Sequence, residues 1–310
     1  MPFLAGIDEV GYGPKLGPLI VTATLFEIPE AGIDLWRTLG IPRDPVRGGI
    51  AVCDSKRLYH PPDVSPLELT TLAFWRARES SCETTFLEFI EGHGLAGLDG
   101  IRECPWYREL AAPLPFTTPD TIPDLRPAFA RAGVRFAGVR SVLADAREFN
   151  DGVARLRNKA DFLFEISSRL YRWIWDTTAS EGPCTVVVGK QGGRTFYADR
   201  LQKLFPESLV LTSGESPALS TYSIGARDRR MTMAFAADAE DAHFPVGLAS
   251  IVAKYTREGL MRAFNAWWGG RLPGLAPTAG YAADAKRFLR ETEGLRRELG
   301  IGDRVLVRER

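Results

Sequence analysis

The sequence predicts an α/β fold in which one mixed β-sheet of about five strands is flanked by helices. The chain opens with two apolar runs, residues 3–7 and 19–26, separated by a turn rich in Gly and Pro, which is typical of paired antiparallel strands. Residues 157–175 repeat apolar side chains at helical spacing, and residues 185–188 form a continuous β-branched run. Such a run indicates a strand buried on both faces, so we expect helices on both sides of the sheet.

The first strand ends in two adjacent carboxylates, Asp8 and Glu9, and glycines and prolines then force a turn. Neighbouring side chains on a strand point to opposite faces, so the two acids share one centre only if the strand bends at its end. Carboxylates at the rim of a buried strand are costly unless they bind a cation or hydrogen-bond donors. Hard divalent cations prefer oxygen ligands, so this corner is a candidate metal site; a solvated turn is the alternative.

The next elements bring a candidate phosphate contact. We predict a short helix at residues 33–39 and a brief strand at residues 50–53, which ends at Asp54. Ser55 and Lys56 follow, and a hydroxyl and an ammonium both suit phosphate oxygens. An ordinary solvated loop is the alternative interpretation.

Residues 61–132 form the most irregular part of the chain. Residues 67–74 and 85–90 have helical spacing, and prolines interrupt the remainder. This segment could cap a cleft, bind a partner or only add bulk, and the sequence alone leaves these alternatives open.

The second half of the chain supplies further strands and helices. We predict strands at residues 134–142, 185–188, 209–212, 220–224 and 230–235, and helices at residues 157–175, 246–266 and 282–297. The last two strands should form a hairpin around residues 225–228. Three acids, Asp238, Glu240 and Asp241, come just before the helix at 246, where carboxylates also favour the helix dipole.

The composition is typical of a globular protein, and it limits the kinds of binding site that the chain can form. Hydrophobic residues are 45% and charged residues 25% of the 310 residues, and the net charge is zero, so a nucleic-acid binder would have to place its Lys and Arg locally. Four scattered cysteines lack C-x-x-C spacing, which argues against a zinc ribbon or a redox pair. No signal peptide or apolar run of about 20 residues is apparent. We therefore expect a cytoplasmic monomer that does not bind membranes.

Four segments, in order, resemble motifs of the type 2 ribonucleases H (ribonuclease HII). They are Gly6-Ile7-Asp8-Glu9-Val10-Gly11-Tyr12-Gly13-Pro14, Asp54-Ser55-Lys56-Arg57-Leu58, Ala249-Ser250-Ile251-Val252-Ala253-Lys254-Tyr255-Thr256-Arg257-Glu258 and Pro277-Thr278-Ala279-Gly280-Tyr281. The resemblance implies a ribonuclease H-like mixed β-sheet flanked by helices. It also implies a single domain over residues 1–310, with an insertion at about 61–132 and a β-hairpin extension at about 208–237.

The resemblance further implies an endonuclease that hydrolyses RNA within RNA–DNA hybrids with Mg²⁺ or Mn²⁺. Asp8, Glu9 and Asp241 would be its catalytic metal ligands. Counting back without gaps from Ser250 selects Glu240 instead of Asp241, whereas the Asp-x-x-x-Pro spacing selects Asp241, which we prefer. The implied nucleic-acid contacts are Gly11, Tyr12, Gly13, Ser55, Lys56, Lys254 and Tyr281, the last stacking on a sugar at an RNA–DNA junction.

The chain departs from the family pattern at two positions. Gly189 stands where the family carries its third carboxylate, and Tyr12 stands where the family has Arg between two glycines. Losing an anionic ligand should weaken cation binding, unless Asp199, Asp238 or a substrate phosphate completes the site. Two alternatives follow: a nucleic-acid-binding protein with weak or no turnover, and a nuclease with a different substrate.

Overall fold

A seven-stranded mixed sheet forms the centre of the protein. The computed structural model describes residues 1–78, 85–117, 121–178, 182–227 and 229–309. The strands are β1 (Phe3–Val10), β2 (Leu19–Glu27), β3 (Arg135–Ala144), β4 (Cys184–Gly189), β5 (Leu209–Glu215), β6 (Leu219–Ala226) and β7 (Arg229–Ala236). Their order across the sheet is β3-β2-β1-β4-β7-β6-β5. The prediction of a mixed sheet flanked by helices is confirmed, with seven strands in place of about five.

Helices cover both faces of this sheet. They are α1 (Leu35–Leu39), α2 (Ser55–Leu58), α3 (Ser65–Arg78), α4 (Phe86–Gly92), α5 (Leu98–Arg102), α6 (Arg126–Ala132), α7 (Ala146–Leu156), α8 (Lys159–Thr178), α9 (Ala198–Leu204), α10 (Ala239–Ala242), α11 (Phe244–Arg271), α12 (Ala282–Glu291), α13 (Glu293–Glu298) and α14 (Asp303–Leu306), with a 3-10 turn at Pro105–Tyr107. Among the described residues, no helix is both long enough and apolar enough to cross a bilayer.

The strand directions bring the ends of β1 and β4 together. β1 and β2 are antiparallel, as predicted, and β3 is antiparallel to β2, whereas β4 runs parallel to both β1 and β7. β1 and β4 therefore end at the same edge of the sheet. β6 and β7 form the predicted hairpin, and Asp228 in its turn lies outside the described residues.

The two faces of β1 pack against different helices. Phe3, Ala5 and Ile7 contribute to the core that contains the buried side of α8. On the other face, a Cβ at Gly6 would lie 2.2 Å from the backbone of Pro245, so only glycine lets the start of α11 lie directly on β1. This close approach places the N-terminal half of α11 beside the end of β1.

Two predicted elements differ from the structure. Residues 50–53 form no strand, because they lie under α1, where the Val52 carbonyl accepts a hydrogen bond from Trp36 Nε1 at 2.7 Å. The predicted final helix is interrupted at Thr292, whose buried hydroxyl donates to the Phe288 carbonyl at 2.8 Å. Hydroxyl bonds of this kind compete with the helical pattern and bend helices.

Residues 61–132 add a helical layer over α11. Phe74, Phe86, Phe89 and Trp106 are buried in the same core as α11. Glu68 on α3 is fully buried and accepts hydrogen bonds from the Phe116 and Thr117 amides and from the Tyr255 hydroxyl. This segment therefore shares a core with α11 from its first residue, Phe244, whose ring lies 5.9 Å from that of Phe74, to its second half.

Candidate active site

The candidate site lies where the end of β1 meets the start of α11. Asp8 is 7% exposed and shares the α11 face of β1 with Gly6. Glu9 lies on the opposite face with Ile7, where its charge acts on the buried Tyr171 of α8. The two carboxylates therefore enter the same region from opposite faces of the strand end.

Three acidic residues act on one another in this region, and we call Asp8, Glu9 and Glu240 the carboxylate cluster. Burial, followed by the charge of Glu240, raises the pKa of Asp8 to about 7, while a hydrogen bond from Ser250 acts in the opposite direction. Burial, followed by the charges of Asp8 and Glu240, raises the pKa of Glu9. Uncompensated anionic oxygen of this kind suits a hard divalent cation.

The carboxylate cluster has the oxygen donors of a metal site, but these donors are not arranged around one point. Among the residues that the structure describes, no group of three or more His, Cys, Asp or Glu is arranged to hold a metal ion. The oxygen donors fit Mg²⁺ or Mn²⁺ in kind, but a bound cation would have to draw them together.

The side chain that faces Asp8 from α10 is Glu240, whereas Asp241 is held elsewhere. Asp241 Oδ1 accepts hydrogen bonds from the Asp54 amide at 3.1 Å and from Arg57 Nη1 at 3.0 Å. Although burial alone would raise the pKa of Asp241, these bonds and the Arg57 charge hold it below its usual value. Adjacent helical side chains point about 100° apart, so only one of the two acids can face Asp8. The geometry therefore supports Glu240 over our preference for Asp241.

Gly189 lies directly beside Asp8. A Cβ built at Gly189 would be 3.2 Å from Asp8 Oδ1, so a side chain at position 189 would adjoin the carboxylate cluster. Lys190 points away, because its Nζ donates to the Ser216 carbonyl at 2.8 Å and to Ser220 Oγ at 2.9 Å. The proposed replacements, Asp199 and Asp238, have exposed side chains.

Ser55 and Lys56 differ in their access to solvent. Ser55 is 4% exposed, and its hydroxyl oxygen is hydrogen-bonded to that of Ser250 at 2.9 Å. Because Ser250 is also hydrogen-bonded to Asp8, Ser55 helps to hold Ser250 in place beside the carboxylate cluster. The Lys56 side chain is 79% exposed, with Nζ 3.4 Å from Asp54 Oδ2 and 4.0 Å from Glu240 Oε1, so it can reach a ligand bound at the cluster.

Lys254 and Tyr281 also differ in exposure. The Lys254 side chain is 12% exposed, and its Nζ lies 2.8 Å from Glu258 Oε1 and over the ring of Tyr59. The Tyr59 hydroxyl donates to the same carboxylate at 2.8 Å, so Lys254 is held within the protein. Tyr281 is 55% exposed and is free to stack on a ligand.

Sequence reasoning missed three residues that organise this region: Ser250, Tyr59 and Glu258. Ser250 lies within the third of the four segments that resemble family motifs, so its hydrogen bond to Asp8 could have been suspected from the sequence. The bond between Tyr59 and Glu258 joins segments 199 positions apart, so no local pattern could predict it.

Comparisons with known proteins identify similar solved structures only. A scan against protein-family models and a search of curated proteins each found no match. The chain is similar to the ribonuclease HII in the PCNA:RNase HII complex from Archaeoglobus fulgidus, at 17% identity and a TM-score of 0.45, covering 97% of this chain and 91% of that one. It is also similar to ribonuclease H2 from Pyrococcus horikoshii OT3, at 16% identity and a TM-score of 0.45, with 98% and 92% covered.

A third similar structure is Bst-RNase HIII in complex with Mn²⁺, at 14% identity and a TM-score of 0.42, with 98% of this chain and 65% of that chain covered. These solved structures are type 2 ribonucleases H, the family that the four sequence segments resemble.

Proposed function

We propose that the protein is a divalent-metal-dependent endonuclease of the ribonuclease H type, which hydrolyses RNA within RNA–DNA hybrids. The observation that carries this proposal is the carboxylate cluster at the end of β1. Asp8, Glu9 and Glu240 bring three carboxyl groups into a partly buried site, where Lys56 is a cation that acts on both Asp8 and Glu9. Such a site favours binding of Mg²⁺ or Mn²⁺.

Asp8, Glu9 and Glu240 would hold the cation. When bound, a divalent cation neutralises charge on a phosphodiester and lowers the pKa of water. Ser250 keeps the Asp8 carboxylate in place through its hydrogen bond, and Ser55 supports Ser250 from the start of α2.

Exposed groups around the cluster would position the nucleic acid. Lys56 is the exposed cation next to Glu240 and would contact a phosphate close to the site of cleavage. Tyr281 presents an exposed ring on which a sugar or base can pack. Lys254 is paired with Glu258, so we assign it the role of holding the Tyr59 region in place.

The test is cleavage of an end-labelled RNA–DNA hybrid with Mg²⁺ and, separately, with Mn²⁺. Asp8→Asn should abolish cleavage, and Glu240→Gln should reduce it far more than Asp241→Asn. Equal cleavage by the wild type and Asp8→Asn would contradict the proposal. A larger loss in Asp241→Asn than in Glu240→Gln would contradict the assignment of Glu240.

The second candidate function is binding of hybrid or structured nucleic acid without turnover. Gly189 favours it, because the position beside Asp8 Oδ1 supplies no ligand. This candidate predicts that the wild type binds a hybrid duplex yet leaves it intact with either cation.

A further inference from the structure

The turn that joins β1 to β2 is held by a buried arginine that follows α14. Residues 11–18 form this turn, which contains the two glycines and Tyr12 that the family resemblance implies as nucleic-acid contacts. The Arg308 amide donates to the Lys15 carbonyl at 2.8 Å, and Arg308 Nη2 donates to the Pro14 carbonyl. Arg308 is only 2% exposed, so water does not compete for these hydrogen bonds.

A second buried arginine, Arg257 of α11, holds the same turn from the other side. Its Nη2 donates to the Leu16 carbonyl at 3.2 Å and to the Ala279 carbonyl at 3.1 Å. A Cβ at Gly11 would lie 2.9 Å from Arg257 Nε, and Gly11 has a φ of +84°, so glycine is needed there. The successive carbonyls of residues 14–16 therefore all accept hydrogen bonds from two buried arginines.

The turn is also joined directly to the segment that presents Tyr281. The amides of Lys15 and Leu16 both donate to the Gly280 carbonyl, at 2.7 and 3.2 Å. A Cβ at Gly280 would lie 2.4 Å from the Leu16 carbonyl oxygen, so the two backbones are in close contact. Tyr281 is the next residue, and its exposed ring is therefore fixed relative to the turn.

The backbone on both sides of Arg308 is anchored to α7. Asn150 Nδ2 donates to the Val307 carbonyl at 2.8 Å, and Asn150 Oδ1 accepts from the Glu309 amide at 2.7 Å. Val307 also forms an isolated antiparallel bridge with Leu16. These contacts fix the point from which the Arg308 side chain reaches the turn.

We propose that Arg308 is a positioning residue, which holds the turn of residues 11–18 and the Tyr281 segment in the arrangement that binds the nucleic acid. A glycine-rich turn without such contacts has many accessible conformations. Binding would then have to order it, and that cost lowers affinity. The inference rests on the proposed function, because it assumes that the turn and Tyr281 contact a nucleic acid.

The test measures the Kd of a fluorescent RNA–DNA hybrid in EDTA, so that no cleavage occurs. Arg308→Met keeps an apolar stem and removes the side-chain donor to Pro14. It should raise the Kd by about tenfold, which is about 1.4 kcal/mol and the scale of one buried hydrogen bond. Arg304→Met is the matched control, because it removes the same charge from an exposed α14 side chain that pairs with Asp151 at 2.7 Å. The control should leave the Kd unchanged.

Two further variants separate positioning from folding. Arg308→Lys keeps a donor that can reach the turn and should recover most of the affinity. Asn150→Ala releases the backbone around Arg308 without touching the turn and should also raise the Kd, which keeps the test decisive if Arg308→Met does not fold. In a double-mutant cycle, Arg308→Met should raise the Kd by a smaller factor in Tyr281→Ala than in the wild type. An arginine that only stabilises the fold would give the same factor in both.

Equal Kd values for Arg308→Met and Arg304→Met would overturn the inference, and so would equal factors in the two backgrounds of the cycle. A wild type that binds the hybrid with the expected differences but does not cut it with Mg²⁺ or Mn²⁺ would support this inference and refute the proposed nuclease. A wild type that binds no hybrid would overturn both.

Discussion

At the scale of single residues, Gly189 decides how many anionic groups adjoin Asp8. A Cβ there would lie 3.2 Å from Asp8 Oδ1, so Gly189→Asp would place a carboxylate beside the cluster at the cost of a small local shift. Without a cation, like charges repel and the variant should be less stable than the wild type. With Mn²⁺, the added anion should strengthen binding. We expect Mn²⁺ to raise the melting temperature of Gly189→Asp by more than that of the wild type, and hybrid cleavage to become faster.

Gly189→Ala is the matched control for this prediction, because it adds the same Cβ without the carboxylate. Its response to Mn²⁺ should equal that of the wild type. If Gly189→Asp binds Mn²⁺ no more tightly than Gly189→Ala, then position 189 is not the place of a missing ligand.

The raised pKa of Asp8 predicts how stability depends on pH when metal is absent. Burial, followed by the Glu240 charge, raises the pKa of Asp8 from 3.8 to about 7. Between pH 4 and 7 the folded protein keeps a proton that the unfolded chain has lost, so the free energy of unfolding should fall as pH rises. Asp8→Asn should flatten this dependence in urea denaturation with EDTA at pH 5, 6 and 7.5. Parallel curves for the two proteins would contradict the prediction.

At the scale of elements, local pattern predicted the seven strands and the long helices, although not residues 50–53 or the break at Thr292, and packing decided which side chains meet. The alternation of β1 correctly placed Asp8 and Glu9 on opposite faces, because side-chain direction on a strand is a local property. The choice between Glu240 and Asp241 depended on the orientation of the four-residue helix α10 and on Arg57, which comes from a distant segment. Neither spacing argument contained that information.

A second residue, His93 at the end of α4, should also make the free energy of unfolding depend on pH. Burial lowers the pKa of His93 from 6.5 to about 4, and its Nδ1 bonds the Phe89 carbonyl at 3.0 Å. As pH falls from 6.5 to 4, the unfolded chain gains a proton that the folded protein does not, so stability should fall by about 3 kcal/mol. His93→Gln should remove this part of the acid sensitivity, as measured by urea denaturation between pH 4.5 and 7.5. Equal acid sensitivity in both proteins would show that His93 is solvated.

At the scale of the whole molecule, the net charge of zero requires that nucleic-acid binding depend on where cations lie. Composition alone could not locate them. In the structure, the exposed Lys56 lies beside Glu240 of the carboxylate cluster. Lys254, which sequence similarity implied as a contact, is neutralised within the protein by Glu258. Its position in a motif therefore did not predict its exposure.

This arrangement predicts that two charge reversals of equal size will have unequal effects on binding. Lys56→Glu and Lys203→Glu each change the net charge by the same amount, but only Lys56 lies next to the carboxylate cluster. In titrations of a labelled hybrid with EDTA, Lys56→Glu should weaken binding and lower the salt slope by at least about 0.9, because one phosphate contact is lost. Lys203→Glu should leave the slope as in the wild type. Equal losses in the two variants would mean that overall charge governs binding, and an unchanged slope in Lys56→Glu would place the nucleic acid on another face of the protein.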